Sequence, residues 1–230
     1  MREKAVVALL VVVAVLVGPA ASALPTLPTR SETSTSTFRG QVTKLIVDSD
    51  AGNVVVNPGR PASVRRTERW VYDRPQIRTT FSGGVLSIRS RCSNAPLNGC
   101  STDFTITVTP TAVVEVFTNN GPVRVSGITS SLVRATTDNG AISFTDIAAD
   151  TVKAQTANGN VVARLTRAPA ETRLRTANGD LTADVPRGVY TLDISATSGS
   201  VRVTGVQNRP NSGHMLSARS SNGNVRVAGR

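Results

Sequence analysis

The sequence predicts an all-β protein, a right-handed parallel β-solenoid with coils of about 19–20 residues, behind an N-terminal export segment. Three observations predict it. A turn motif returns along the C-terminal half, with starts at Phe117, Thr136, Gln155, Arg175, Ser195 and Arg219, spaced by 19, 19, 20, 20 and 24 residues. Apolar residues after each turn alternate with period two, the signature of a strand with one buried face. Val, Thr, Ser, Ala, Arg and Gly set the composition and only 3% of residues are aromatic, which suits a thin layered β core better than a thick globular one.

The repeats come first in the argument. Their turns read TNNG, TDNG, TANG, TANG, ATSG and SSNG, ending on Gly121, Gly140, Gly159, Gly179, Gly199 and Gly223. Two residues on stand Val123, Ile142, Val161, Leu181, Val201 and Val225, and two further Val125, Phe144, Ala163, Ala183, Val203 and Val227. A second short strand closes each unit, with Val133 and Ala135, Val152 and Ala154, Thr172 and Leu174, Leu192 and Ile194, and Leu216 and Ala218 facing inward. No unit can bury its apolar face alone, so the units must stack. An earlier copy runs through Leu45, Val47, the turn ending at Gly52-Asn53, then Val54 and Val56.

Asn-Gly is also the favoured two-residue hairpin turn, so an antiparallel meander or β-sandwich is the alternative. A meander needs no fixed period, whereas a solenoid does, because coil length sets the stacking register. The near-constant spacing favours the solenoid. The extra residues of the 24-residue unit, around Gln207 to Gly213, are expected to bulge as a loop.

Outside the repeats, three segments are expected. Residues 1–23 carry Arg2 and Lys4, an apolar run of 13 residues from Ala5 to Val17, and Ala21-Ser22-Ala23 as a cleavage site. That is a secretory signal peptide; an uncleaved membrane anchor is the rival. Residues 24–38 are rich in Pro, Ser and Thr and read as a linker, either a stalk or a disordered terminus. The domain then runs 39–230. Within it, 57–116 reads as a non-repeating excursion and 117–230 as the array. Cys92 and Cys100 lie in the excursion, and an exported location permits a disulfide between them.

Net charge is +11, carried almost entirely by arginine, since Lys44 and Lys153 are the only lysines beyond the signal. Either the bias is compositional or it serves an anionic partner. The densest stretch is 60–78, where Arg60, Arg65, Arg66, Arg69, Arg74 and Arg78 outnumber Glu68 and Asp73, with Trp70 and Tyr72 interleaved. Export argues against nucleic acid, leaving anionic cell-wall polymer or lipid headgroups as expected partners. A solvated strand face with its aromatics turned inward is the plainer reading.

Catalytic chemistry finds little support. His214 is the only histidine and reads as a surface-loop residue. No G-x-S-x-G elbow occurs. Asp50, Asp138 and Asp180 lie in the repeated turns, but the regular calcium-roll repeat is missing, and turn formation explains them. Thr118, Thr137, Thr156 and Thr176 fall with the inward set by parity, so they form a corner ladder rather than an exposed ice-binding face. The sequence therefore points to a surface scaffold that is not an enzyme, with no cofactor. A polysaccharide-active β-helix enzyme is the alternative; such enzymes carry paired acids, and no pair stands out from turn usage.

The motifs resemble a known family. The pattern Gly-x-Val-x-Val followed by x-Ala-x-Thr-x-Asn-Gly is carried by Ala135-Thr136-Thr137-Asp138-Asn139-Gly140 and Ala154-Gln155-Thr156-Ala157-Asn158-Gly159, with Ser220 in the threonine place of Ala218 to Gly223. It resembles the bacterial "putative adhesin" domains of unknown function. Leu86 to Cys92, Cys100, and Phe104 to Val108 resemble the version from high-GC Gram-positive bacteria. The resemblance covers about Arg39 to Arg230. It implies an extracellular, β-solenoid-like domain and carries no catalytic residue with it.

Overall fold

A computed structural model describes residues 28–93 and 99–230. The export segment 1–23 and the start of the expected linker lie outside the described residues. Every regular element described is a strand. They are β1 (Arg30–Phe38), β2 (Lys44–Ala51), β3 (Val54–Pro58), β4 (Ala62–Trp70), β5 (Gln76–Ser82), β6 (Val85–Arg91) and β7 (Ser101–Val108). Then come β8 (Val113–Asn120), β9 (Val123–Ser126), β10 (Leu132–Asn139), β11 (Ile142–Ile147), β12 (Thr151–Asn158) and β13 (Val161–Leu165). The last are β14 (Glu171–Asn178), β15 (Leu181–Val185), β16 (Gly188–Ser198), β17 (Val201–Thr204), β18 (Val206–Asn208), β19 (Met215–Asn222) and β20 (Val225–Gly229).

The strands form two sheets of ten. One runs β1-β4-β7-β3-β9-β11-β13-β15-β20-β17 and the other β18-β16-β19-β14-β12-β10-β8-β2-β6-β5. Each Asn-Gly turn carries the chain from the second sheet to the first. It is therefore a solenoid corner, not a hairpin, and the meander alternative fails. Equivalent residues stack in parallel register, as in Val133↔Val152 and Ile142↔Val161. Among the described residues, antiparallel pairing is confined to β1 with β4, β4 with β7, and β5 with β6.

The core is the space between the sheets. Val123, Ile142, Val161, Leu181 and Val225 are at most 1% exposed, and Val133, Val152, Leu174 and Leu216 face them from the other side. Each fully buried aliphatic side chain of this kind is worth about 1.5–3 kcal/mol of burial. Valine and isoleucine suit the pleated surface because their branched side chains are already stiff there.

Four sequence expectations need correction. The linker reading of 24–38 fails for Arg30–Phe38. This Ser/Thr alternation becomes β1, because the edge of β4 supplies backbone partners from Arg30↔Trp70 to Phe38↔Ala62. The 57–116 excursion is not wholly outside the repeat. Its β6 and β7 form a coil that pairs in parallel with β2 and β3, as in Leu45↔Leu86 and Val54↔Phe104. Residues around Gln207 to Gly213 are not simply a bulge. They include the end of β18, which pairs with β16, and they carry the chain past a whole coil. The last coil, β19 and β20, thereby inserts between β14/β15 and β16/β17. The inward reading of Val201 and Val203 fails as well. As the edge strand of the end coil, β17 leaves them 46% and 37% exposed.

Candidate functional site

The corners are built from repeating side-chain ladders. Thr137, Thr156, Thr176 and Ser220 are buried, and each donates its hydroxyl to the glycine carbonyl of the adjacent coil's turn: Gly121, Gly140, Gly159 and Gly179, at 2.8–3.2 Å. Buried carbonyls need such partners, and a threonine at this position satisfies one without leaving the strand. The glycine is required by closeness. A Cβ on Gly159, whose φ is +152°, would lie 2.2 Å from the Gly140 oxygen. Gly52, Gly121, Gly140, Gly179, Gly199 and Gly223 are packed the same way against the neighbouring corner.

Turn chemistry alone explains the Asn before Gly121, Gly140, Gly159, Gly179 and Gly223 in the sequence. The structure adds a second role. Asn139, Asn158, Asn178 and Asn222 each donate their side-chain amide to the Oδ1 of Asn120, Asn139, Asn158 and Asn178 respectively, in the coil before, at 2.8–3.0 Å. Two turn aspartates also bond the backbone: Asp180 Oδ1 accepts from Asn224 N at 2.7 Å and Asp50 Oδ2 from Cys92 N at 2.9 Å. Among the described residues no group of three or more His, Cys, Asp or Glu could hold a metal ion. His214 is not a free loop residue. It is half-buried, with Nδ1 2.8 Å from the Pro169 carbonyl.

One corner departs from the ladder. Between β6 and β7 the Asn-Gly turn is replaced by the segment between Cys92 and Cys100, which are joined in a disulfide with Cα atoms 5.7 Å apart. Ser90 Oγ and Thr102 Oγ1 pair at 3.0 Å in the buried corner beneath it.

The six arginines of 60–78 do not form one surface. Arg65 and Arg69 point outward from β4 in the first sheet, where Arg69 pairs with Asp103 at 2.5 Å. Arg66 follows the inward parity of Val64 and Glu68 and pairs with Glu68 at 3.0 Å. Glu68, only 2% exposed, also holds Arg74 at 2.6 Å, and Arg74 reaches Glu32 at 3.0 Å. These two carboxylates raise the Arg74 guanidinium above its usual pKa. Arg78 lies on β5 in the second sheet, opposite Arg89, and Arg60 precedes β4 in a loop. The aromatics are divided too: Trp70 is half-buried under Arg74, 5.3 Å away, while Tyr72 is 51% exposed.

A second concentration of cations was not legible as a run. On the outer face of the second sheet, Arg134, Lys153, Arg173, Arg175 and Arg219 line a cleft of about 530 Å3, together with Thr136, Gln155 and Asp193. These residues are scattered through 85 positions of the sequence and converge only because coils stack. The signal that finds them is column equivalence: the third and fifth residues of the closing strands. Asp193 is the one carboxylate in the lining. Arg219 holds it at 2.5 Å, and with Ser217 keeps its pKa below the ordinary carboxylate value.

Known proteins bear on this geometry. A family model described as Toastrack DUF4097 matches residues 30–228. No curated protein matches. A solved structure from Bacteroides fragilis, described as a "putative adhesin", is similar with 13% identity and a TM-score of 0.53, covering 87% of this chain and 97% of that one. A Clostridium sporogenes structure described as a "putative cell adhesion protein" has 10% identity and a TM-score of 0.49, covering 87% and 100%. At these identities the likeness is one of fold.

Proposed function

The chain belongs to the Toastrack DUF4097 family, and from that premise we propose that it is an exported, non-catalytic surface module, a stiff β-solenoid that meets anionic envelope components through its outer faces. The observation that carries this reading is the partition of charge. The core between the repeat coils is built of aliphatic residues, and cations such as Arg65, Arg124, Arg134, Arg173, Arg175, Arg219 and Arg226 stand on outward columns of both sheets. Side chains on a sheet face are held at fixed spacing, so weak exposed contacts act together. The disulfide supports an oxidising compartment. The fold-level likeness to a Bacteroides fragilis protein described as an adhesin agrees with a surface role. The cleft on the second sheet is lined by Asp193 alone among acids; Asp146 and Asp184 share another cleft, where Arg164 and Arg230 hold Asp184 as an ion pair.

Two measurements test the proposal. Intact mass of the protein from its native host, before and after reduction, reports the mature start and the bond; a start near Leu24 and a two-hydrogen gain are expected. Retention of the whole chain on purified wall polymer and on anionic vesicles, at rising salt, reports the partner. Binding should fall steeply, because the Debye length shrinks from about 10 Å at 0.1 M to about 3 Å at 1 M. Absence of retention at low salt would remove the anionic partner.

A further inference from the structure

In a parallel in-register stack, equivalent residues of successive coils stand about 4.8 Å apart. Like charges directly opposite one another destabilise a sheet. Ser143, Val162 and Thr182 obey that constraint on the first sheet, while Arg202 opposite Arg226 and Arg78 opposite Arg89 are cation pairs across two strands. The centre of the second sheet breaks it over three strands in succession. Arg134 stands opposite Lys153, and Lys153 opposite Arg173. One column over, Arg175 stands opposite Arg219. Five cations on four adjacent strands thus face the same cleft.

Few carboxylates answer them: Glu115, opposite Arg134, is paired with Lys44 at 2.8 Å. Glu171 is shared by Lys153 at 3.2 Å and Arg173 at 2.8 Å, and Asp193 is taken by Arg219. Arg134 and Arg175 are exposed and make no ion pair among the described residues; the Arg134 guanidinium lies 5.2 Å over the Phe117 ring. Local rules tend to be broken where function requires it. A column of repelling cations is relieved by an anion long enough to span it.

The geometry points to a binding site for a linear phosphate polymer, lying along the stacking axis on the outer face of β10, β12, β14 and β19. This rests on the anion-binding reading above and gives it a location and a ligand shape. The column from Arg134 through Lys153 to Arg173 extends over about 10 Å, two strand spacings. Each guanidinium can donate two hydrogen bonds to one phosphate. The Thr136 hydroxyl and Gln155 amide supply neutral donors between the cations. A single phosphate meets one or two of these groups and a chain meets all of them, so affinity should climb with chain length.

The test uses the whole chain, with inorganic phosphate, polyphosphates of increasing length and phosphatidylglycerol vesicles as probes. The variant is Arg134→Ser/Arg175→Ser, which leaves no carboxylate orphaned. The control removes equal charge elsewhere: Arg202→Ser/Arg226→Ser, a neighbouring pair on the first sheet. Affinity for long polyphosphate is expected to drop about tenfold in the variant, with a shallower salt dependence, and to change less than about twofold in the control. If the serines lower the melting temperature, Arg134→Gln/Arg175→Gln keeps the stem packing and carries the comparison. Equal weakening in variant and control would overturn this site while leaving the anion-binding reading intact. Vesicle retention without any response to polyphosphate would overturn the polymer and place the phosphate on a membrane. No binding to any probe at low salt would overturn the site and the reading together.

Discussion

At one end of the stack the coil of β6 and β7 is covered by strands running the other way. β5 lies antiparallel to β6, β4 antiparallel to β7, and β1 antiparallel to β4. Phe38 and Phe81 meet there with ring centroids 5.7 Å apart, and Glu68 ties Arg66 to Arg74. At the other end, among the described residues, β17 has no strand beyond it, and β18 covers β16 only from Gly188 to Tyr190. Turn amides throughout the stack donate toward this end, as Gly159 N does to Asn178 O and Gly223 N to Ser198 O. The amides of Gly199 and Val201 have no further coil to donate to. Stacked repeats hold one another by nearest-neighbour contacts and cannot terminate themselves; a different sequence must do it. Here one end received that sequence and the other did not.

The largest test of this contrast places the same charge at both locations. Val161 is fully buried in a middle coil and Val203 is 37% exposed on the open edge. Val161→Asp should cost about 4 kcal/mol or more, from lost burial and an unpaired buried carboxylate, and the damage should spread to adjacent coils. Val203→Asp should stay within about 1 kcal/mol of wild type, as exposed substitutions usually do. Urea titration of both variants decides. Equal losses would mean that the open end is covered in solution.

Next in size is the disulfide. Cys92→Ser/Cys100→Ser should cost about 2–3 kcal/mol by the loop-closure argument. Hydrogen exchange should localise the loosening to the corner between β6 and β7, leaving the Asn-Gly corners protected. Uniform loss of protection would show that this corner nucleates the whole stack.

Glu68→Ala tests the cap itself. Its carboxylate is buried, but Arg66 and Arg74 are 30% and 46% exposed and regain water when it is removed. The expected cost is therefore modest, about 1–2 kcal/mol. Exchange of β1 and β4 amides should quicken while the middle coils stay protected.

The smallest effect is at the open end. Asp193 has its pKa lowered, chiefly by Arg219 and also by Ser217. A lowered carboxylate pKa adds stability above the unfolded value, near 3.9, and that stability is lost as pH falls through the lower folded value. Acidification below about pH 4 should loosen β16 against β19 by less than about 1 kcal/mol, since the pair is largely exposed. Arg219→Ala should remove most of that pH dependence, leaving the smaller part due to Ser217. An unchanged dependence would assign it to other carboxylates.

The stacked core was legible because it rests on local alternation. Val161, Phe144 and Ala135 announce their inward face by period-two alternation along their strands, and the threonines of the corners follow the same parity. The arginines were not legible as a site. Adjacent residues on a strand point to opposite faces, so Arg65 and Arg66 separate at once, and Arg78 ends in the other sheet altogether. Arg134, Lys153 and Arg173 are distant in sequence yet opposite one another in space.

By itself the sequence determined that this chain makes coils, where they bend and which residues enter the core, because strand parity and glycine turns act within a few residues. Only the tertiary structure decided the order of the coils and the fate of the ends. Coils with the same turn pattern are nearly interchangeable neighbours, so nothing in the repeat states that β19 and β20 must pass β16 and β17, or that β2 and β3 must sit inside β6 and β7. The Ser/Thr run of β1 carries no apolar period of its own and becomes a strand only where β4 leaves an open edge to complete.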